Sequence, residues 1–212
     1  MKNIKFSITV FLMSLTGFFS ACKLVDEPCE NENTHVFYYY FDEKIYLEQV
    51  TNSIYIQFIP GATKKEMNAV IRSNTSLKAS SLDLHDYATS HAVILETKNG
   101  NCISESSVKS LRQKEAVVSA EYLLYNGRKY SSINDQFVVK LKETTSYQQL
   151  QTLAENNNCI IKKKSLYVEN QFVLSVLKTS NLNAIQMANL FHETGLFEFS
   201  DPDFITFNLF DV

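Results

Sequence analysis

The chain has 212 residues, of which 45% are hydrophobic and 20% are charged, and its formal net charge is −3. This composition is typical of a globular protein and excludes a disordered chain, and the acidic balance leaves no electrostatic footprint for nucleic acid. Five glycines and three prolines exclude collagen-like and glycine-rich chains, and four cysteines are too few for a disulfide scaffold.

Residues 1–21 are predicted to be a bacterial lipoprotein signal peptide. Lys2 and Lys5 precede a mostly apolar run over residues 6–19, which is shorter than the roughly 20 residues that a membrane-spanning helix needs. Small residues directly before Cys22 resemble a lipobox, with Phe19 in place of the usual leucine. The resemblance implies acylation of Cys22 and anchoring at the outer membrane or cell surface. The alternative is a plain signal peptide with an incidental cysteine.

Residues 22–34 follow as an acidic, solvated tether. The remaining cysteines, Cys29, Cys102 and Cys159, allow one bridge at most in three pairings, and the prediction favours three isolated thiols. No Cys/His spacing suits zinc, and no metal or cofactor is predicted.

Residues 35–51 are predicted to form an aromatic β-hairpin. Residues 36–41 are mostly aromatic, a polar break follows at 42–44, and an apolar stretch resumes at 45–47. Aromatic residues on both sides of a short polar turn are typical of paired strands.

The rest of the chain contains one pattern twice. Alternating strands are predicted at residues 53–58 and 136–141, and each precedes a helix with one apolar stripe. Met67 in the first helix and Leu150 in the second occupy matching places, with the same offset along the chain as the two strands. In each copy two strands, a second helix and a closing strand follow. The strands are predicted at residues 82–84, 92–95 and 117–125, and then at 159–168, 172–177 and 196–207.

This order predicts an α+β fold with two tandem ferredoxin-like units, at residues 52–126 and 134–210, each with an antiparallel sheet and one helix-free face. The turn signal at residues 126–132 separates the copies. The predicted core positions are Ile56, Phe58, Val70, Val139, Leu141, Leu150, Leu153, Leu174, Leu190 and Phe197.

No catalytic signature is present in the sequence. None of the four histidines, His35, His85, His91 and His192, belongs to a metal-binding or nucleophile motif. Neighbouring Asp/His pairs at residues 83–91 are interpreted as solvated surface groups, His192 with Glu193 as an exposed helix end, and the lysines at 162–164 as a solvated strand edge. The chain is therefore expected not to be an enzyme.

One segment resembles a known family. The run Glu193, Thr194, Gly195 and Phe197, followed by Pro202 and Phe204, resembles the end of the N-terminal prodomain of Bacteroidetes subtilisin-like serine proteases. The aromatic hairpin is similar to the start of those prodomains, and the resemblance covers residues 36–207.

In that family the prodomain assists folding of the protease and inhibits it, with the sheet on the enzyme and the tail in the substrate cleft. The catalytic domain that follows in the family is not seen before the chain ends, so the expectation is an orphan prodomain. It would bind a subtilisin-like protease through its helix-free sheet face and its tail. Alternatives are an envelope adhesion or assembly module and a remnant of a protease precursor. The tail comprises Phe207, Asn208, Leu209, Phe210, Asp211 and Val212.

Overall fold

A computed structural model of the chain describes residues 35–78, 85–86 and 91–207. The described residues form an α+β fold in which nine strands join one antiparallel sheet and four α-helices cover part of it. The predicted fold class is confirmed at this level. The elements of the first half are β1 (His35–Tyr40), β2 (Glu43–Phe58), α1 (Lys64–Arg72), β3 (His85–Asp86), β4 (His91–Glu96), α2 (Glu105–Arg112) and β5 (Val117–Tyr125).

The second half repeats this element order from its first long strand onward, without a preceding hairpin of its own. Its elements are β6 (Tyr130–Leu141), α3 (Tyr147–Asn156), β7 (Cys159–Lys164), β8 (Gln171–Val176), α4 (Ala184–Glu193) and β9 (Phe197–Phe207). The strands lie in the order β3-β4-β2-β5 in the first half and β7-β8-β6-β9 in the second, and β5 pairs with β6 to join them.

The register irregularities of the sheet repeat along with the elements. Pairing of β2 with β5 shifts after Val50 and again after Gln57. Pairing of β6 with β9 shifts after Ile133 and after Lys140, which are the equivalent positions of the second copy. Because a β-bulge locally bends and twists its strand, bulges at matching positions indicate that the two halves share detailed backbone geometry.

The helices α1 and α3, which occupy equivalent places in the two halves, begin in the same way. At α1, the Thr63 side chain accepts a hydrogen bond from the Glu66 N–H, and the Glu66 carboxylate accepts one from the Thr63 N–H. Ser146 and Gln149 make the same reciprocal pair at α3. Each pair satisfies two backbone donors that would otherwise lack partners at a helix N-terminus, so the sequence fixes where both helices begin.

Each half has its own hydrophobic core between its helices and its part of the sheet. Met67 and Leu150, the matched helix positions, are almost fully buried, one in each core. Of the ten predicted core positions, eight are buried, whereas Leu153 and Leu190 are half-buried at the core margins.

Three strand boundaries differ from the prediction. The pairing of β1 with β2 extends to Glu48, but β2 itself continues without a break through Asn52 and Ser53 to Phe58. The strand survives this polar stretch because neighbouring backbone is bonded to it: Asn52 O accepts from Thr97 N, and Thr51 O accepts from Ile103 N. In the same way β6 begins at Tyr130 rather than at residue 136, because its first residues pair with β5.

The third boundary lies in the second half. The strand predicted over residues 159–168 ends at Lys164, and the following residues form the turn before β8. β7 is the outermost strand of the sheet, so the prediction of a lysine-bearing strand edge is confirmed. The strand predicted at residues 82–84 lies outside the described residues.

Candidate partner interface

The aromatic hairpin packs against the segment that carries the prodomain-like motif. The Tyr39 ring on β1 stacks on the His192 ring at the end of α4, with centroids 4.0 Å apart and planes 15° apart. The Tyr39 hydroxyl donates to Glu193 Oε1 over 3.0 Å. His192 is therefore 13% exposed rather than at the surface, and the prediction of an exposed helix end was wrong for this residue.

The same hairpin also contacts the rest of the motif. Tyr38 lies edge-on to Phe204 of β9, with ring centroids 4.9 Å apart. On α4, the Asn189 side-chain amide donates to the backbone oxygen of Phe37 over 2.8 Å. The two segments that carry the family resemblance, at opposite ends of the chain, thus form one surface.

Thr194 and Gly195 end α4 and direct the chain into β9. The Thr194 hydroxyl donates to Phe191 O over 2.6 Å. Gly195 has a φ of 72°, in the left-handed region that favours glycine, as the sequence predicted. Phe197 then enters the core beside Phe191, with ring centroids 5.5 Å apart. Pro202 is buried opposite Phe137.

In each half a basic side chain near the end of the second helix acts electrostatically on a carboxylate of the closing strand. In the first half, Arg112 of α2 lies 2.6 Å from Glu121 of β5, and the two side chains are 16% and 8% exposed. In the second half, His192 of α4 exerts an electrostatic effect on Asp201 of β9. The spacing along the chain is the same in both pairs. Sequence reasoning missed these pairs, although aligning the repeats would have shown them.

Burial raises the pKa of both carboxyl groups, and the basic neighbour of each opposes it. It raises the pKa of Glu121 to about 7, against the opposing influence of Arg112 and of the Asn183 amide, which donates to Glu121 Oε2. Burial also raises the pKa of Asp201, and His192 lowers it. Because Asn183 caps α4, the Glu121 carboxyl connects the two halves of the molecule.

The pair around Glu121 lies beside a cavity of about 300 Å³ between α2, β5 and the start of α4. Glu105 and Lys109, which also line it, form an ion pair of 2.9 Å. Both ion pairs lie within the first half, and the hydrogen bond from Asn183 to Glu121 connects them to the second half.

The helix-free face of the first half is buried at its centre, around Tyr55. Tyr55 on β2 shares this face with its cross-strand partner Ile94, and Tyr55 has no exposed surface. The Phe207 ring at the end of β9 packs 5.4 Å from the Tyr55 ring, so the end of the second half covers the sheet of the first. The expectation that this face is free for a partner was wrong.

The helix-free face of the second half is more open. Val138 on β6 and Val173 on β8 are cross-strand partners, and each alternates with residues of the helix-side core. Both valines are half-buried, and Ile160 of β7, on the same face, is 42% exposed. We call Val138, Val173, Ile160, Lys140 and Phe199 the open face.

Of the tail residues, only Phe207 is described, and it is 7% exposed. It is a packing residue and is not available to a partner, contrary to the prediction. Asn208, Leu209, Phe210, Asp211 and Val212 lie outside the described residues, as does Cys22.

Cys102 is disulfide-bonded, so the prediction of three isolated thiols was wrong at this position. Cys159 is a free, buried thiol, and burial raises its pKa to about 12. Within the described ranges, no three His, Cys, Asp or Glu side chains are grouped as a metal site would require. Among the same residues, no helix has both the length and the apolar character needed to cross a membrane.

No family of known proteins matches the chain, and no curated protein or solved structure is significantly similar to it.

Proposed function

We propose that this chain is a non-catalytic, lipid-anchored protein that binds a subtilisin-like protease as an inhibitor or folding helper. The observation that carries the proposal is the open face, a sheet surface beside the prodomain-like segment on which apolar side chains lie next to Lys140. The proposed binding surface therefore lies on the second half alone, and not on both halves.

The proposal treats each half as a ferredoxin-like unit. It is supported by the strand–helix–strand–strand–helix–strand order in both halves and by the equivalent strand orders β3-β4-β2-β5 and β7-β8-β6-β9. In such a unit two helices pack on one face of an antiparallel sheet, and the opposite face can pack on another surface. The motif segment from Glu193 to Phe204 shapes the edge of the second unit through the turn at Gly195.

Export and anchoring through Cys22 belong to the same proposal. A disulfide at Cys102 supports the export part, because disulfides persist in oxidising compartments and are rare in the bacterial cytosol. Cys22→Ala should prevent acylation, and the protein should then leave the membrane fraction or remain unprocessed. Unchanged mass and membrane partition would contradict this part.

The binding part is tested with purified secreted subtilisin-like proteases and the full chain. We expect slower peptide hydrolysis by at least one of these proteases, or a higher yield when the protease is refolded with the chain present. Val138→Glu should weaken the effect by about tenfold or more, because it replaces an apolar side chain of the open face with a charge. Gln148→Glu, on the exposed side of α3, is the matched control and should change nothing.

If the full chain neither slows hydrolysis nor improves refolding, the proposal fails. An equal loss of the effect in both variants would show that binding does not use the open face.

A further inference from the structure

The turn between β7 and β8 presents apolar side chains to solvent. Leu166 is 91% exposed and Tyr167 is 95% exposed, the highest values among the large hydrophobic residues of the described chain. Val168 follows at 40%. Consecutive apolar residues with so little contact to their own protein are a feature of binding surfaces.

The turn has a defined backbone. The Ser165 hydroxyl oxygen accepts hydrogen bonds from the N–H groups of Tyr167 and Val168, over 3.3 and 3.1 Å. Ser165 N donates to Gln171 O across the base of the turn, and Leu141 N donates to Asn170 O beside it. These bonds fix the turn as a protrusion, so Leu166 and Tyr167 project from an ordered support.

Positive charge lies directly beside this protrusion. Lys162, Lys163 and Lys164 are all exposed, and they line an open groove of about 510 Å³ next to the turn. The chain as a whole has a net charge of −3, so this cluster differs in sign from the rest of the molecule. The turn contains one acidic residue, Glu169.

We propose that this turn is a membrane-docking tip, in which Leu166 and Tyr167 enter the headgroup region of an anionic bilayer and the three lysines contact lipid phosphates. Leucine contributes apolar area to such an interface, and tyrosine suits it because its ring is apolar and its hydroxyl stays hydrated. Lysines near an anionic surface add electrostatic attraction. The inference does not depend on protease binding or on acylation of Cys22.

The geometry favours a bilayer over an added protein strand at the same place. A partner strand would pair with the edge of β7 that has no neighbour among the described strands, and lysines along an edge strand oppose such pairing. It would also leave Leu166 and Tyr167 beyond the paired region, because both lie past the end of β7. A lipid surface can accept the protruding side chains and the lysines together.

The absence of tryptophan from the chain allows a direct test with the full chain. Tyr167→Trp places a single indole reporter at the tip, and Tyr46→Trp, at a tyrosine of β2 that is 60% exposed, is the matched control. The two variants are reconstituted with vesicles of phosphatidylglycerol and phosphatidylethanolamine or of phosphatidylcholine alone. Because the signal is local to the reporter, attachment through another part of the chain does not produce it.

With anionic vesicles, we expect the emission of the tip reporter to shift to shorter wavelength and to be quenched by brominated lipids, whereas the emission of the control reporter stays unchanged. Adding Lys162→Gln, Lys163→Gln and Lys164→Gln to Tyr167→Trp should weaken the anionic response by about fivefold for each lysine, and salt should weaken it as well. Thermal unfolding confirms that each variant is folded.

An unshifted emission of the tip reporter with anionic vesicles would overturn the proposal, as would an equal response of the control reporter. A response that is undiminished without the lysines, or equally strong with phosphatidylcholine, would also overturn it. A photo-crosslinker at position 167 that captures a protein rather than lipid in intact envelopes would instead assign the tip to a protein partner.

Discussion

At the same point of the repeat, the first half has Tyr55 and the second half has Val138, and the surroundings of the two side chains differ. Tyr55 has no exposed surface and lies against Phe207, whereas Val138 is half-buried on the open face. The strand order and the bulge positions around them are equivalent. A duplicated fold can therefore use the sheet face of one copy for internal packing and keep the equivalent face of the other copy accessible.

The two pairs of a basic side chain and a carboxylate also differ between the halves. The pair of Arg112 and Glu121 is buried and is bonded to Asn183 of the second half. His192 and Asp201 occupy the matching positions, but His192 is covered by Tyr39 of the hairpin. The first pair therefore holds the two halves together, and the second lies where the hairpin packs.

Removing Arg112 from its pair with Glu121 should cause the largest loss of stability. Arg112→Met leaves Glu121 buried without its counter-charge, which should lower the free energy of unfolding by about 3 to 5 kcal/mol at pH 8. His192→Gln should lower it by about 1 kcal/mol, because it removes the ring that stacks on Tyr39. Urea unfolding measures both, and Arg72→Met, on the exposed end of α1, is the control. Equal losses at Arg112 and His192 would remove the proposed difference between the pairs.

Uncovering the first sheet face should have the next largest effect. Phe207→Ala removes the ring that packs on Tyr55, and truncation of a buried phenylalanine costs about 3 to 4 kcal/mol. The variant should also expose Tyr55, which hydrogen exchange and tyrosine fluorescence detect. Phe41→Ala, at a ring that is 70% exposed in the hairpin turn, should have little effect. A stable variant with Tyr55 still protected would show that Phe207 does not cover this face.

The pH dependence of the free energy of unfolding should differ in size for Glu121 and Asp201. Glu121 has a pKa of about 7 in the folded chain against an ordinary value of 4.5, so its contribution is fully present below pH 4.5 and is lost as the pH rises through about 7. Compared with Glu121→Gln, the native chain should lose about 3 kcal/mol between pH 4 and pH 8. Asp201→Asn should show a smaller difference of the same sign. If the native chain instead gains stability relative to Glu121→Gln as the pH rises, Arg112 outweighs burial.

Substitutions just after the helices α4 and α2 should have the smallest effect on stability. Gly195 is in the left-handed region, and no atom would contact an added Cβ, so Gly195→Ala is strained by its backbone alone and should cost about 1 kcal/mol. α2 ends at Gln113 without a left-handed residue, so Glu115→Ala should be nearly neutral. Gly195→Val should also weaken protease binding by displacing β9. Normal binding together with the expected loss of stability would separate the turn from the interface.

Much of the fold could be predicted from local pattern. The shared offset of the first strand and first helix of each copy, together with the apolar stripes, identified both halves, because amphipathic faces are encoded by neighbouring residues. Met67 and Leu150 were matched in this way, and both are buried. Gly195 was also assigned correctly, because a glycine just after a helix is a local signal.

The long-range packing could not be predicted in this way. Nothing in the alternation of β2 indicates that Phe207, from the far end of the described chain, covers Tyr55. His192 looked like a surface residue because its own helix gives no sign that Tyr39 lies above it. The open face could be assigned to the second half only from these contacts, because they bury Tyr55 on the equivalent face of the first half.

The most direct test of the proposed function compares two equivalent positions in the native envelope. Val173 lies on the open face, and Ile94 is its counterpart on the covered face of the first half. A photo-crosslinking residue is placed at each position in the full chain, and crosslinked products are identified by mass spectrometry. The account predicts a subtilisin-like protease crosslinked from position 173 and none from position 94. A protein of another class at position 173, no product there, or equal capture from both positions would contradict it.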